Sequence, residues 1–226
     1  MPEAVTLPNN FVTVFNSVNR DFGIELPWPK PESYVPPTAE QPFLIWGGSS
    51  SVGQYAIQIL KFYGYKNILV TASKKHHALL ESYGATHLFD YREANVIEQI
   101  LETAADDIPY ILDCIGSQKA SIEPISRLAK SGAKVAILLP IILRDSIESE
   151  GPALYGYDVV NAAKWEEGVE VRGVRTHFYI DVSQRSRYYM LPEVTKKCVE
   201  RVLQIPLTAG DHADDVEGKN CCAKPL

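Results

Sequence analysis

The 226-residue sequence lacks the apolar segments that would carry a protein into or across a membrane. Its start, MPEAVTLPNNF, has no basic stretch followed by an apolar one, so it does not resemble a secretory signal. The longest apolar run, residues 135–143, is far shorter than a membrane span and contains Pro140. Only four cysteines occur, and their spacing does not suggest a disulfide framework. We therefore expect a reduced, cytoplasmic protein.

The sequence also lacks an excess of basic residues. It has 28 Asp and Glu against 22 Lys and Arg, which gives a formal net charge of −6. A broad basic surface is what recruits nucleic acid or acidic lipid, so we expect neither a nucleic acid partner nor a membrane partner. A phosphorylated ligand is compatible with this charge only where the chain builds a local positive site.

What the sequence does contain is a regular alternation of short apolar strands and helices. The predicted strands are residues 43–46, 67–71, 87–89, 110–114 and 133–139. The predicted helices between them are residues 52–63, 75–83, 94–103 and 119–129. Strands that are apolar on both faces and separated by helices indicate a parallel sheet covered on both sides. The fold class is therefore α/β, a doubly wound parallel sheet of the Rossmann type.

Three regions follow from this pattern. Residues 1–41 are predicted to form a leading helix at about 9–18 and a connector in which six prolines occur between Pro27 and Pro42. Residues 42–206 are predicted to form the Rossmann-type domain, with a sixth strand at 169–180 and a last helix at 192–203. Residues 140–168 show no clear period. Residues 207–226 are predicted to be a polar tail.

A turn of small residues between the first strand and its helix carries the strongest functional signal. Its spacing is Gly47-x-x-Ser50-x-x-Gly53. Small residues let backbone N–H groups and the helix N-terminus approach a pyrophosphate, and serine hydroxyls can donate further hydrogen bonds to it. The alternative is a tight turn that binds nothing. The residues predicted to bind the cofactor here are Gly47, Gly48, Ser50, Ser51, Val52 and Gly53.

The end of the second strand indicates which nicotinamide cofactor is bound. Sites for NAD place a carboxylate there to hold the ribose 2′-hydroxyl, whereas here the first carboxylate after the second strand is Glu81. A hydroxyl and ammonium groups would instead bind a 2′-phosphate, which favours NADP(H). The alternative is a solvated basic start of a helix. The residues predicted to contact the phosphate are Ser73, Lys74, Lys75 and His76.

Several other chemistries are excluded by spacing. Gln54 and Tyr55 stand where a P-loop needs Lys and Ser or Thr, so ATP hydrolysis is not expected. No G-x-S-x-G nucleophile elbow occurs, and no Tyr has a Lys four residues later. No Cys precedes Cys114 and no close cysteine cluster exists, so we expect no metal. We assign no catalytic acid or base.

These residues resemble the cofactor-binding domain of the medium-chain dehydrogenase/reductase superfamily, in its zinc-independent quinone oxidoreductase-like and fungal trans-enoyl reductase branch. The similar segments are WGGSSSVGQYAIQILK, VTASKKHHALLESYGATHLFDYRE, YILDCIGS and GAKVAILLP. The resemblance implies phosphate contacts from Ser50 to Gly53 and 2′-phosphate contacts from Ser73 to His76. It also implies an adenosine-side contact from Tyr91 and nicotinamide-side contacts near Leu138 and Leu139.

One departure from the family affects the functional prediction. Its members begin with a β-rich, GroES-like domain that forms one wall of the substrate cleft, and we expect this chain to lack that domain. The resemblance implies an NADP(H)-dependent oxidoreductase that transfers hydride to an activated C=C or C=O, or the cofactor-binding part of one. The alternatives are a non-catalytic NADP-binding sensor or partner-binding module, and a truncated product without function.

The predicted sixth strand, residues 169–180, suggests how the chain associates. It would lie at an edge of the sheet and offer unpaired backbone groups to another chain. Arg172 and Arg175 oppose such pairing, while Phe178, Tyr179 and Ile180 leave its later half apolar. We therefore expect a homodimer formed through this edge strand.

Overall fold

The computed structural model describes residues 3–145 and 151–176, with the side chains of the first helix described from residue 9 onward. Eight strands are present in these ranges: β1 Phe43–Trp46, β2 Ile68–Thr71, β3 His87–Phe89, β4 Tyr110–Asp113, β5 Lys134–Leu138, β6 Ile141–Arg144, β7 Leu154–Gly156 and β8 Glu170–Val174. The α-helices are α1 Glu3–Asn16, α2 Ser51–Tyr63, α3 His77–Tyr83, α4 Val96–Thr103 and α5 Glu123–Leu128. Within these ranges, no helix is long and apolar enough to cross a membrane.

Six of the strands form one parallel sheet in the order β3-β2-β1-β4-β5-β8. The first strand, β1, lies in the middle of the sheet. Strands β2 and β3 follow it on one side, and the chain then crosses to the other side of β1, where β4, β5 and β8 lie. This change of direction at β1 is the mark of a doubly wound sheet, and ligands bind at such a switch point. The predicted Rossmann-type fold is confirmed.

The centre of the sheet is buried, because its strands are apolar on both faces. Every residue of β1 and β2 is buried, as expected of central strands in a parallel sheet. Helices α2 and α3 end at Tyr63 and Tyr83 and are capped by Gly64 and Gly84, where φ is 94° and 114°. This left-handed conformation suits glycine, so both helices end where the sequence predicts.

The leading segment forms more helix than the sequence predicts. The prediction begins the first helix at about residue 9, but α1 begins at Glu3 and continues through Asn16 into a π-helical turn, Ser17–Asp21. Packing stabilises part of this helix, because the ring centroids of Phe11 in α1 and Tyr55 in α2 are 6.3 Å apart. The proline-rich connector that follows contains no helix or strand, as predicted.

The region that follows β5 differs most from the prediction. The apolar residues of the segment 140–168 show no clear periodicity in the sequence. Within this segment, however, β6 and β7 pair as an antiparallel hairpin with a register shift. Strands of four and three residues are too short to display an alternation. Strand β8 covers only part of the predicted strand at 169–180: it ends at Val174, and the described residues Arg175 and Thr176 are not in strand conformation. Residues 177–180 of that prediction, the helix predicted at 192–203 and the tail at 207–226 lie outside the described residues.

Candidate functional site

The carboxyl ends of the parallel strands gather the predicted site residues along one edge of the sheet. The turn between β1 and α2 lies at the switch point, with β2 on one side and β4 on the other. Backbone N–H groups of Gly47 and Gly48 donate to the Thr71 carbonyl at 3.2 and 2.9 Å, which fixes this turn against the end of β2. The turn therefore occupies the position in which a doubly wound sheet binds a ligand.

The glycines of this turn are required by close approach. At Gly47, φ is +87°, and a Cβ would lie 2.5 Å from the side chain of Ile115, which follows β4. A Cβ on Gly48 would overlap the side chain of Val70. A Cβ on Gly53 would lie 2.5 Å from the Gly47 carbonyl oxygen, so α2 could not pack this closely on the turn. The glycines are therefore required for the close packing of this turn against β2, β4 and α2.

Ser50 and Ser51 have different roles in the structure. The Ser50 hydroxyl caps α2: it accepts from the Gly53 N–H at 3.1 Å and donates to the Gly47 carbonyl at 2.8 Å. Its proton is therefore held by the Gly47 carbonyl in this structure, and a contact from Ser50 to a phosphate stays a prediction. Ser51, the first residue of α2, is exposed. The first turn also leaves the N–H groups of Ser51 and Val52 without an intrahelical acceptor.

The segment after β2 presents the predicted basic residues at the surface. Ser73 is half-buried, and Lys74 and Lys75 are exposed. A 3-10 turn, Lys74–His76, precedes α3, so the single helix predicted from residue 75 is two elements. The His77 ring nitrogen Nε2 lies 3.0 Å from the Ala72 carbonyl oxygen, which ties that ring to its own strand end.

A carboxylate that the sequence prediction missed lies beside these residues. Asp90 directly follows β3, and its Oδ2 accepts from the Lys74 backbone N–H at 3.2 Å. Arg92 holds the same carboxylate through Nε and Nη2, both at 3.0 Å. The hydrogen bond from Arg92 holds the pKa of Asp90 at about 2. The signal for Asp90 was available, because β2 and β3 are neighbouring parallel strands whose carboxyl ends must meet.

The remaining predicted residues lie on either side of the β1–α2 turn, along the carboxyl ends of the strands. Tyr91 follows β3 and is 47% exposed, with the Arg92 guanidinium 5.6 Å from its ring centroid. Leu138 ends β5, and both it and Leu139 are half-buried. Because β2, β1 and β4 lie between β3 and β5, Tyr91 and Leu138 are on opposite sides of the β1–α2 turn. Tyr91, the β1–α2 turn and Leu138 thus follow one another in this order along the carboxyl ends of the strands.

A buried network at the end of β4 is a second feature that the sequence prediction missed. Asp113 Oδ1 accepts from the N–H groups of Ile115 and Gly116 at 2.9 and 3.0 Å, and Oδ2 accepts from the Ser121 hydroxyl at 2.7 Å. Asp113 is fully buried. It therefore shapes the loop that places Ile115 against Gly47. Burial also raises the pKa of the neighbouring Cys114 thiol, so this cysteine is not an activated nucleophile.

The Asp113 carboxyl predicts a pH dependence of stability. Burial raises its pKa from 3.8 to about 6, so between these values the folded state holds a proton that the unfolded chain releases. The free energy of unfolding then falls as pH rises through this window, by roughly 2–3 kcal/mol from this group. We expect Asp113→Asn to be more stable than the wild type at pH 7 and the two proteins to converge at about pH 4.

Denaturant unfolding at several pH values measures this difference. Asparagine keeps an acceptor for Ile115 and Gly116, and its amide can donate to Ser121 while the Ser121 hydroxyl donates to the Ser117 carbonyl. Asp158→Asn is the matched control, because its hydrogen bonds with Asn161 lower the pKa of Asp158. That control should gain no stability at pH 7. A constant difference between Asp113→Asn and wild type across this pH range would contradict the prediction.

Within the described residues, no group of three His, Cys, Asp or Glu side chains could hold a metal ion.

The family model described as zinc-binding dehydrogenase matches residues 51–141. An uncharacterized protein of Saccharomyces cerevisiae is 36% identical over 163 residues, which cover 67% of this chain and 42% of the relative. A trans-enoyl reductase of Fusarium heterosporum is 35% identical over 105 residues, covering 46% of this chain and 30% of the relative. The chain thus spans well under half the length of these curated relatives.

Solved structures of enoyl and quinone reductases share the fold. The CurK enoyl reductase matches with a TM-score of 0.58 and 19% identity, over 89% of this chain and 50% of that chain. The structure described as a putative NADPH:quinone reductase of Bacillus thuringiensis matches with a TM-score of 0.59 and 14% identity, over 89% and 52%. At these identities the likeness bears on the fold alone. The family model and the curated relatives confirm the resemblance predicted from the sequence.

Proposed function

Because the chain carries the cofactor-binding domain of the medium-chain dehydrogenase/reductase superfamily, we propose that it is an NADP(H)-dependent oxidoreductase or the cofactor-binding part of one. The β1–α2 turn at the switch point of the sheet is the observation that supports cofactor binding most strongly. Its glycines permit close packing of the turn on the neighbouring strands, and the N–H groups of Ser51 and Val52 lie at the positive end of α2 without an intrahelical acceptor. We propose that this turn binds the pyrophosphate.

The choice of NADP(H) rests on the strand end beside that turn. Ser73, Lys74 and Lys75 offer a hydroxyl and two ammonium groups. The nearby carboxylate of Asp90 is already paired with Arg92. A 2′-phosphate would therefore meet net positive charge here. We propose that Ser73 to His76 bind this phosphate and that Tyr91 lies against the adenosine.

The proposed reaction is hydride transfer between the nicotinamide and an activated C=C or C=O. The bound cofactor supplies the reactivity, and the protein supplies position and electrostatics. Leu138 and Leu139, at the end of β5, would line the nicotinamide side. We propose that the reaction needs no zinc, since the sequence offers no metal-ligand spacing.

A non-catalytic NADP-binding module is the second candidate function. The observation that favours it is the chemistry of the described strand ends. They offer groups for a cofactor, while burial raises the pKa of the Cys114 thiol beside them, so that this cysteine is not an activated nucleophile.

Parallel measurements of binding and turnover separate these candidates. NADPH binding is followed by calorimetry, and NADPH oxidation is followed with a panel of enones and quinones. Binding with turnover supports the oxidoreductase. Binding without turnover on any member of the panel supports the module. Absence of binding by a folded chain contradicts both proposals.

We also propose that the chain forms a homodimer through the strand predicted at residues 169–180. In the described part of the sheet, β8 is the last strand and pairs only with β5. An unpaired strand edge can pair with a second copy. We expect light scattering at tens of micromolar to give twice the chain mass, and Phe178→Glu to reduce it. A monomer at that concentration, or a dimer unaffected by Phe178→Glu, would contradict this interface.

A further inference from the structure

The Asp90 carboxylate is surrounded by donors from two neighbouring strand ends. Its Oδ1 accepts from the Arg92 backbone N–H at 3.1 Å and from Arg92 Nε at 3.0 Å. Its Oδ2 accepts from Arg92 Nη2 at 3.0 Å and from the Lys74 N–H at 3.2 Å. The Asp90 side chain is only 11% exposed, whereas that of Arg92 is 59% exposed. Both carboxylate oxygens are therefore occupied, and the guanidinium covers the charge.

This arrangement alters what the carboxylate can do for a nucleotide. A free Asp or Glu near the ribose would accept from a 2′-hydroxyl and would repel a 2′-phosphate. Asp90 has the position for such a role, because it contacts the backbone of Lys74 within the segment Ser73 to His76. With Arg92 bound in a bidentate pair, the two charges cancel. The remaining net charge near this segment comes from Lys74 and Lys75.

We infer that Arg92 determines cofactor specificity by neutralising Asp90, so that the ion pair permits the 2′-phosphate of NADP(H) beside Lys74. This inference rests on the proposed cofactor site and adds two residues to it. Without Arg92, the Asp90 carboxylate is released and opposes the phosphate while remaining compatible with the ribose hydroxyl of NADH. Without both side-chain charges, the opposition disappears. The role of Arg92 thus depends on the presence of Asp90.

A double-mutant cycle tests this dependence. Dissociation constants of NADPH, NADH and 2′,5′-ADP are measured by calorimetry for the wild type, Arg92→Gln, Asp90→Asn and Asp90→Asn/Arg92→Gln. Asparagine retains a carbonyl acceptor for the loop. Arg127→Gln is the matched control, because Arg127 also forms an exposed ion pair, with Glu98 at 3.6 Å, on the helices α5 and α4. It carries the same loss of one positive charge.

We expect Arg92→Gln to weaken NADPH and 2′,5′-ADP about tenfold and to leave NADH unchanged or tighter. The double variant should return NADPH to within about twofold of the wild type, since no carboxylate then opposes the phosphate. Asp90→Asn alone should bind NADPH at least as tightly as the wild type. Arg127→Gln should change none of these constants.

Two results would overturn the inference. One is an Arg92→Gln variant that binds NADPH like the wild type. The other is a double variant as weak as Arg92→Gln, because Arg92 would then act on the phosphate directly and not through Asp90. Both results leave wild-type binding of NADPH intact. A wild type that binds neither NADPH nor 2′,5′-ADP would instead refute the proposed cofactor site.

Discussion

NADPH is expected to bind this chain about a hundredfold more tightly than NADH. The reason is the pair of exposed ammonium groups on Lys74 and Lys75, beside the half-buried Ser73. Each charge-assisted contact with a 2′-phosphate contributes about 1.5 kcal/mol or more, and two of them correspond to about a hundredfold in affinity. Because these contacts are near the surface, added salt should reduce the preference.

Calorimetry on the wild type and on Lys74→Gln/Lys75→Gln measures this preference. The double variant should bind NADPH and NADH with similar constants, while its affinity for NADH stays within about twofold of the wild type, since NADH lacks the phosphate. Lys66→Gln/Lys164→Gln removes the same charge from exposed lysines in other segments and should keep the preference. Equal constants for the two cofactors in the wild type, or a preference for NADH, would refute the assignment of NADP(H).

The sequence predicts the fold well because the fold depends on local signals. Strands such as β1 are apolar on both faces, and glycines end α2 and α3, so the βαβ alternation can be read along the chain. The hairpin of β6 and β7 could not be predicted in this way. Its strands are short and bind to a distant loop: the Ile142 N–H donates to the Gly116 carbonyl at 2.7 Å.

The sequence predicts the site less completely, because part of the site depends on which strands are neighbours. Residues of the β1–α2 turn are consecutive, so their spacing is visible in the sequence. Asp90 reaches Lys74 only because β3 pairs with β2. Asp113 is visible only as the last residue of an apolar strand, and its bonds to the loop after β4 require the three-dimensional turn. Both carboxylates, Asp90 and Asp113, do lie at strand ends, so polar residues at the end of every predicted strand, and not only of β2, are candidates for such a site.

Ser51→Glu is expected to remove binding of both NADPH and NADH. Ser51 is the first residue of α2, is exposed, and has a backbone N–H without an intrahelical acceptor. A carboxylate there would lie a few ångströms from a bound pyrophosphate. The repulsion between one such pair of like charges near a surface is roughly 4 kcal/mol, which corresponds to a loss of more than a hundredfold in affinity. This variant differs from the lysine variants, which should affect NADPH alone.

The domain should remain folded in Ser51→Glu, because an acidic residue in the first turn of a helix is favourable. Gly53→Val is a poorer test, since even a Cβ at Gly53 would lie 2.7 Å from the Gly48 Cα and would distort the turn itself. Ala94→Glu, at an exposed position just before α4, adds the same charge near another helix N-terminus and should bind both cofactors normally. Cofactor fluorescence measures binding, and thermal unfolding checks that each variant is folded. If folded Ser51→Glu binds NADPH like the wild type, the β1–α2 turn does not bind the pyrophosphate.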